Sequence, residues 1–212
     1  MKQPFSGVGI WLVSLLVCAV AVGLAFSFVD VPVARAVYPF SGRLGALGAG
    51  LGSAVLLTFE AAVVLVLALV RLARGHLSPF REALAIACLS SICAYAIDSN
   101  VLKFCFGVPN PGAVLQGVQH GFNFLKGSHS SSFPSGHMVL AGAFCGVFMR
   151  LYRSAIRPLA ALLGVAAVLL ILGNWHFVSD VIAGTFIGVS IGLFAGEVWR
   201  VHMGWSGRAQ RT

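Results

Sequence analysis

Six stretches of this chain stay apolar for about the 20 residues that a helix needs to cross a lipid bilayer. They cover residues 8–29, 47–70, 83–102, 135–152, 159–175 and 181–199. Lipid offers backbone groups no partner outside the chain, so each run is expected to satisfy its own hydrogen bonds as an α-helix. Only 9% of the residues are charged, against about a quarter in a soluble domain, which excludes a soluble enzyme carrying one buried helix. The expected fold is all-α, a polytopic membrane protein built as a six-transmembrane-helix bundle. Its spans leave no room for a second domain, so residues 1–212 are expected to form one. Ala34-Arg35-Ala36 is a weak A-x-A signal, but the run before it is too long for a signal peptide and is expected to remain as a span.

The net charge of +8 raises the question of nucleic acid, and its distribution answers it. The cations sit in short clusters between apolar runs, with no basic face on a soluble element. With the N-terminus cytoplasmic, Lys2, Arg71, Arg74, Arg81, Arg150, Arg153, Arg157, Arg200, Arg208 and Arg211 fall inside, while Arg35, Arg43, Lys103 and Lys126 fall outside. This bias of 10 against 4 places both termini in the cytoplasm. Trp175 and Trp199 bracket the sixth run as interfacial aromatics would. The cysteines Cys18, Cys88, Cys93, Cys105 and Cys145 form no C-x-x-C pair and read as small apolar residues, with no metal expected.

The sixth run carries Gly184, Gly188, Gly192 and Gly196, three overlapping G-x-x-x-G patterns. Such a ridge lets another helix backbone approach closely. Packing inside one bundle is the default reading, and a homodimer face is the alternative. Continuing the register backward reaches Asp180 and then His176.

Three polar clusters fall at the outer ends of spans, on one side of the membrane by the charge count alone. They are Lys103 with Asn110-Pro111, then Pro134-Ser135-Gly136-His137, then His176 with Asp180. Ser135 and Gly136 open a helix, whose free N–H groups and positive dipole end attract an anion. Lys103 adds a cation whose stem can reach the interface. His176 and Asp180, four apart, share a helix face. A carboxylate beside an imidazole fixes its tautomer and stabilises its cation, which makes His176 a candidate nucleophile and His137 a candidate general acid. Between the first two clusters runs the one long loop, about 104–134, and long loops in compact proteins are often functional.

These residues resemble the type 2 phosphatidic acid phosphatase family, whose motifs are K-x6-R-P, P-S-G-H and S-R-x5-H-x3-D. The second is intact as Pro134-Ser135-Gly136-His137; the third keeps His176 and Asp180; the first keeps Lys103 and Pro111. The resemblance implies a membrane lipid phosphatase, cleaving a phosphate monoester or diphosphate without a cofactor. His176 would form a phosphohistidine, Asp180 would orient it and His137 would protonate the leaving group. Lys103, Ser135 and Gly136 would hold phosphate oxygens, with Asn110 in the place of the first motif's arginine. The chain departs from the pattern at that Asn110, and at Leu169 and Leu170 where the third motif has Ser-Arg. Arginine clamps phosphate with two parallel charged bonds, which neither residue can supply. Lys126, His120, His129 and Asn174 are the nearby groups able to compensate.

Among the remaining acids, Glu60 and Asp98 lie inside apolar runs, where ionisable groups are costly and often functional. Asp98 has Lys103 as its nearest partner in sequence, and Glu197 precedes Arg200 at helix-pair spacing. The expected setting is a bacterial inner membrane with a periplasmic site and a lipid phosphate as substrate. A phosphotransferase using the same residues, and a phospholipid-binding or transport protein without turnover, are the alternatives.

Overall fold

The computed structural model describes residues 5–49 and 52–202. Lys2, Arg208 and Arg211 of the charge count lie outside them. All regular structure among the described residues is helical. Five helical stretches there are long and apolar enough to cross a membrane, and Gly136–Leu151 is a shorter apolar sixth. The chain is therefore an integral membrane protein with the helical bundle its apolar runs require.

The first span differs from its expected length. Helix α1 (Phe5–Leu24) does not stop near residue 29 but passes through a π-helical turn (Ala25–Val29) into α2 (Asp30–Ala49). Asp30, Pro32 and Arg35 resemble a helix end in sequence. A proline ring clashes with the carbonyl four residues back, here Phe28, and a widened turn at that point lets the helix continue. The second span, α3 (Ser53–Arg74), starts six residues later than expected because 47–49 still belong to α2. It ends at Gly75, whose φ of 75° is the left-handed stop that glycine adopts without a Cβ clash. After Ser78, α4 (Pro79–Ile97) continues through a second π-helical turn (Asp98–Leu102) into the short α5 (Lys103–Phe106). Gly107 ends it at a φ of 60°, and a Cβ there would fall on the Asn123 carbonyl of the long loop.

Helix α7 (Gly136–Leu151) is the centre of the bundle. Its 16 residues span only about 24 Å, less than the roughly 30 Å hydrocarbon core, and most of them are buried. Its longest contact is with α9 (Val178–His202). The four ridge glycines are buried on it: Gly184 faces Ser135, Gly188 faces Met138 and Val139, Gly192 faces Ala143 and Gly146, and Gly196 faces Val147 and Arg150. The default reading of the ridge holds. The ridge glycines meet α7 of the same chain. Beside this seam, α8 (Ile156–Leu172) closes a cluster of Met138, Cys145, Leu163, Leu170 and Val181, and α4 closes one of Ala83, Ala87, Val147 and Leu151.

The alternation of directions sorts the two ends. The starts of α3, α7 and α9 and the ends of α5 and α8 meet at one face. The opposite end carries the arginine clusters. There Glu197 holds Arg200 through two bonds of 2.8 and 2.7 Å, the pair expected from their spacing, and also contacts Arg150. Glu60 is buried on α3 with one carboxylate oxygen unpartnered among the described residues.

Candidate active site

The site grows from the start of α9. Phe177 precedes the helix, its carbonyl accepting the Val181 N–H at 3.2 Å, and its own N–H donates to Asp180 Oδ2 at 2.8 Å. A carboxylate in the first turn reaching back to the residue before the helix is half of a capping box. The same Oδ2 lies 3.5 Å from His176 Nδ1 and accepts the Ser132 hydroxyl. Asp180 thus caps α9 and faces the imidazole at once. Ser132 Oγ is also 3.4 Å from His176 Nδ1. With Nδ1 facing Asp180 and Ser132, Nε2 is the nitrogen left to face a substrate. At 3.5 Å the His–Asp contact is looser than a good hydrogen bond, and contacts of this kind tighten once substrate is bound.

The start of α7 is tied to the same turn, because the Ser135 N–H donates to the Asp180 carbonyl at 3.1 Å. Ser135 precedes α7 without capping it, and its buried hydroxyl has no partner among the described residues. The first-turn N–H groups of α7 therefore face the site without that side-chain acceptor, as an anion site requires. Gly136 is needed where it stands: a Cβ would lie 2.9 Å from the Tyr95 ring and 3.0 Å from Asp98 Oδ2. His137, one residue on, has its ring centroid 5.8 Å from that of His176, edge-on, and its Nε2 3.4 Å from Ser53 Oγ at the head of α3.

Lys103 reaches in from α5 and donates to the Ser131 carbonyl at 2.9 Å, which leaves its other two donors for an anion. Asp98 is near enough to attract its charge, as its position in sequence suggests, but makes no hydrogen bond to it. Its carboxylate is fully buried beside Gly136, and neither oxygen has a hydrogen-bond partner among the described residues.

The expected substitutes for arginine separate. Asn110 is the N-cap of α6 (Pro111–Leu115), its Oδ1 accepting the Ala113 N–H at 2.9 Å. Its carbonyl is thus a cap, and only its amide NH2 is left as a group that could donate to a phosphate oxygen. Leu170 packs in the α7–α8–α9 core, so no cation stands there. Asn174, with a φ of 55°, lines a small cleft with His176 and Asp30. Lys126 and His129 are exposed on the loop. His120 turns inward, stacked on Phe26 at 4.2 Å and edge-on to Phe177 at 4.6 Å, with Nε2 3.6 Å from Asp30 Oδ2.

Burial holds the His120 imidazole below its usual range, against the opposing charges of Asp30 and Asp180. The folded value is depressed, so the unfolded chain takes up this proton first as pH falls through about 6.5. The stability His120 supplies is then present at neutral pH and lost towards acid. The thermal midpoint of the protein is expected to fall more between pH 7.5 and 5.5 than that of His120→Phe; equal falls would contradict it.

The motif residues thus converge. The family model of the PAP2 superfamily matches residues 83–202, which includes all of them. The chain belongs to the PAP2 superfamily. No curated protein and no solved structure matches it. Membership of the PAP2 superfamily assigns phosphatase-type chemistry on phosphate esters. The match also marks what sequence reasoning missed. Asp30 and Ser53 come from the region before it, and Ser132 belongs to no motif, although the serines 130–132 stand one residue, Phe133, before P-S-G-H.

Proposed function

We propose that this protein hydrolyses a phosphate or diphosphate ester of a membrane lipid at the outer, periplasmic face of the membrane. The observation that carries the reading is the meeting of two imidazoles, one backed by a buried carboxylate, with an uncapped helix start and a lysine at one end of a membrane bundle. The head group would lie at that end while its tail stays in lipid. Lys103, the Ser135 hydroxyl and the first-turn N–H groups of α7 hold the phosphate oxygens. His176 Nε2 attacks phosphorus, and the bond from phosphorus to the leaving oxygen breaks. His137 gives that oxygen a proton. Asp180 stabilises the imidazole as it becomes charged. His137 then takes a proton from water, which attacks the phosphohistidine and releases orthophosphate.

The absence of a cation at Asn110 and Leu170 supports one rival, a protein that binds phospholipid without turning it over. Phosphate release from phosphatidate, phosphatidylglycerol phosphate, a prenyl diphosphate and a lipid A phosphate, beside a water-soluble phosphate ester, separates them. Release from at least one lipid well above the soluble ester is expected. Binding without release would favour the rival, and release that requires an added alcohol would indicate a transferase.

A further inference from the structure

Asp30 belongs to none of the three motifs and lies more than fifty residues before the family match begins, yet it is one of the most buried charged residues of the chain, 1% exposed. Its carboxylate takes hold of a single residue 149 positions away: Oδ1 accepts the Ser179 N–H at 3.0 Å and Oδ2 the Ser179 hydroxyl at 2.5 Å. Ser179 stands between His176 and Asp180 in the first turn of α9. That turn therefore receives two carboxylates, Asp180 from inside the helix and Asp30 from another helix. The π-helical turn directly before Asp30 resets the register of everything after it, and His120 and Phe177 cover the carboxylate from the loop side.

The two acids divide one task. Helix starts leave N–H groups unsatisfied. Without Asp30, the Ser179 N–H and hydroxyl lose a buried acceptor, and Asp180 alone must both hold the turn and face the imidazole. We propose that Asp30 is a positioning residue for the reaction: through Ser179 it locks the first turn of α9, and with it the His176–Asp180 pair, in the reactive geometry. This rests on the reading of His176 as the group that attacks phosphorus.

The test compares the full chain in detergent with Asp30→Ala and Asp30→Asn by two readouts. The first is kcat and KM on whichever lipid phosphate the unsubstituted protein hydrolyses. The second needs no turnover: the rate at which diethylpyrocarbonate modifies His176, followed by mass spectrometry, with the exposed His76 at the far end of the bundle as internal reference. Asp30→Ala is expected to lower kcat about tenfold or more with little change in KM, as misplaced reacting groups do. It should also speed modification of His176 relative to His76 about threefold or more, as a loosened segment does. Asp30→Asn keeps an oxygen for the Ser179 N–H and should recover part of both; it decides the matter if the alanine variant does not fold. Either readout left unchanged overturns the proposal. If no lipid is hydrolysed by the unsubstituted protein, the hydrolase reading falls by itself, and the modification rates alone decide whether Asp30 holds the turn.

Discussion

Replacing His176 by alanine is expected to lower phosphate release by at least about 1,000-fold, the scale on which removal of a nucleophile acts. The fall should appear in kcat, with the protein still folded. His176 lies at the mouth of the bundle, and its contacts are with Ser132, Asp180 and the His137 ring rather than with the apolar clusters. The loss of an imidazole there leaves the α7–α9 seam intact. Thermal midpoint and kcat, measured on the same preparation, separate the two effects. A variant that keeps a tenth of its activity would mean that another group attacks phosphorus.

The second large effect concerns the seam itself. A Cβ at Gly188 would fall on the Val139 carbonyl, with the Met138 carbonyl and Val139 Cα each 2.9 Å away. These are backbone atoms, so no side chain can swing aside. Gly188→Leu is expected to force α7 and α9 apart at a cost of about 3 kcal/mol or more, the upper part of the range for overpacking. The midpoint of unfolding should fall, and activity with it, because Ser135 and Asp180 are held together across the same seam. Gly164 on α8 is the control. Its Cβ would meet nothing within 4 Å among the described residues, and Gly164→Ala should gain about 0.5–1 kcal/mol from helix propensity. Equal tolerance of the two substitutions would mean that the seam is not close-packed.

Much of this arrangement is legible in the sequence because it is local. The apolar runs follow from the cost of exposing backbone to lipid. His176 and Asp180 do meet, but across a helix start rather than on one helix face, since His176 lies before α9 and Asp180 in its first turn; the glycine spacing marks the packed side of α9. What stays hidden depends on contacts distant in sequence. Asp30 ends an apolar run and resembles a boundary until Ser179 is brought to it. Pro32 and Arg35 likewise suggest that the first helix stops, and only the π-helical turn before them shows how it continues. Asn110 occupies an arginine position of the motif, and its local chemistry, an Asn before a Pro, adds a helix cap that the motif alone does not announce. Asp98 and Lys103 are close in sequence, yet Lys103 finds the Ser131 carbonyl in a loop whose path no periodicity encodes.

The central claim is that His176 carries the phosphoryl group. It is tested most directly by quenching the protein during turnover of a lipid labelled in its phosphate and locating the label by peptide mass spectrometry. A phosphoryl group on His176, stable in base and lost in acid, is the expected result. Label on another residue, or steady phosphate release with no labelled protein at any quench time, would contradict it.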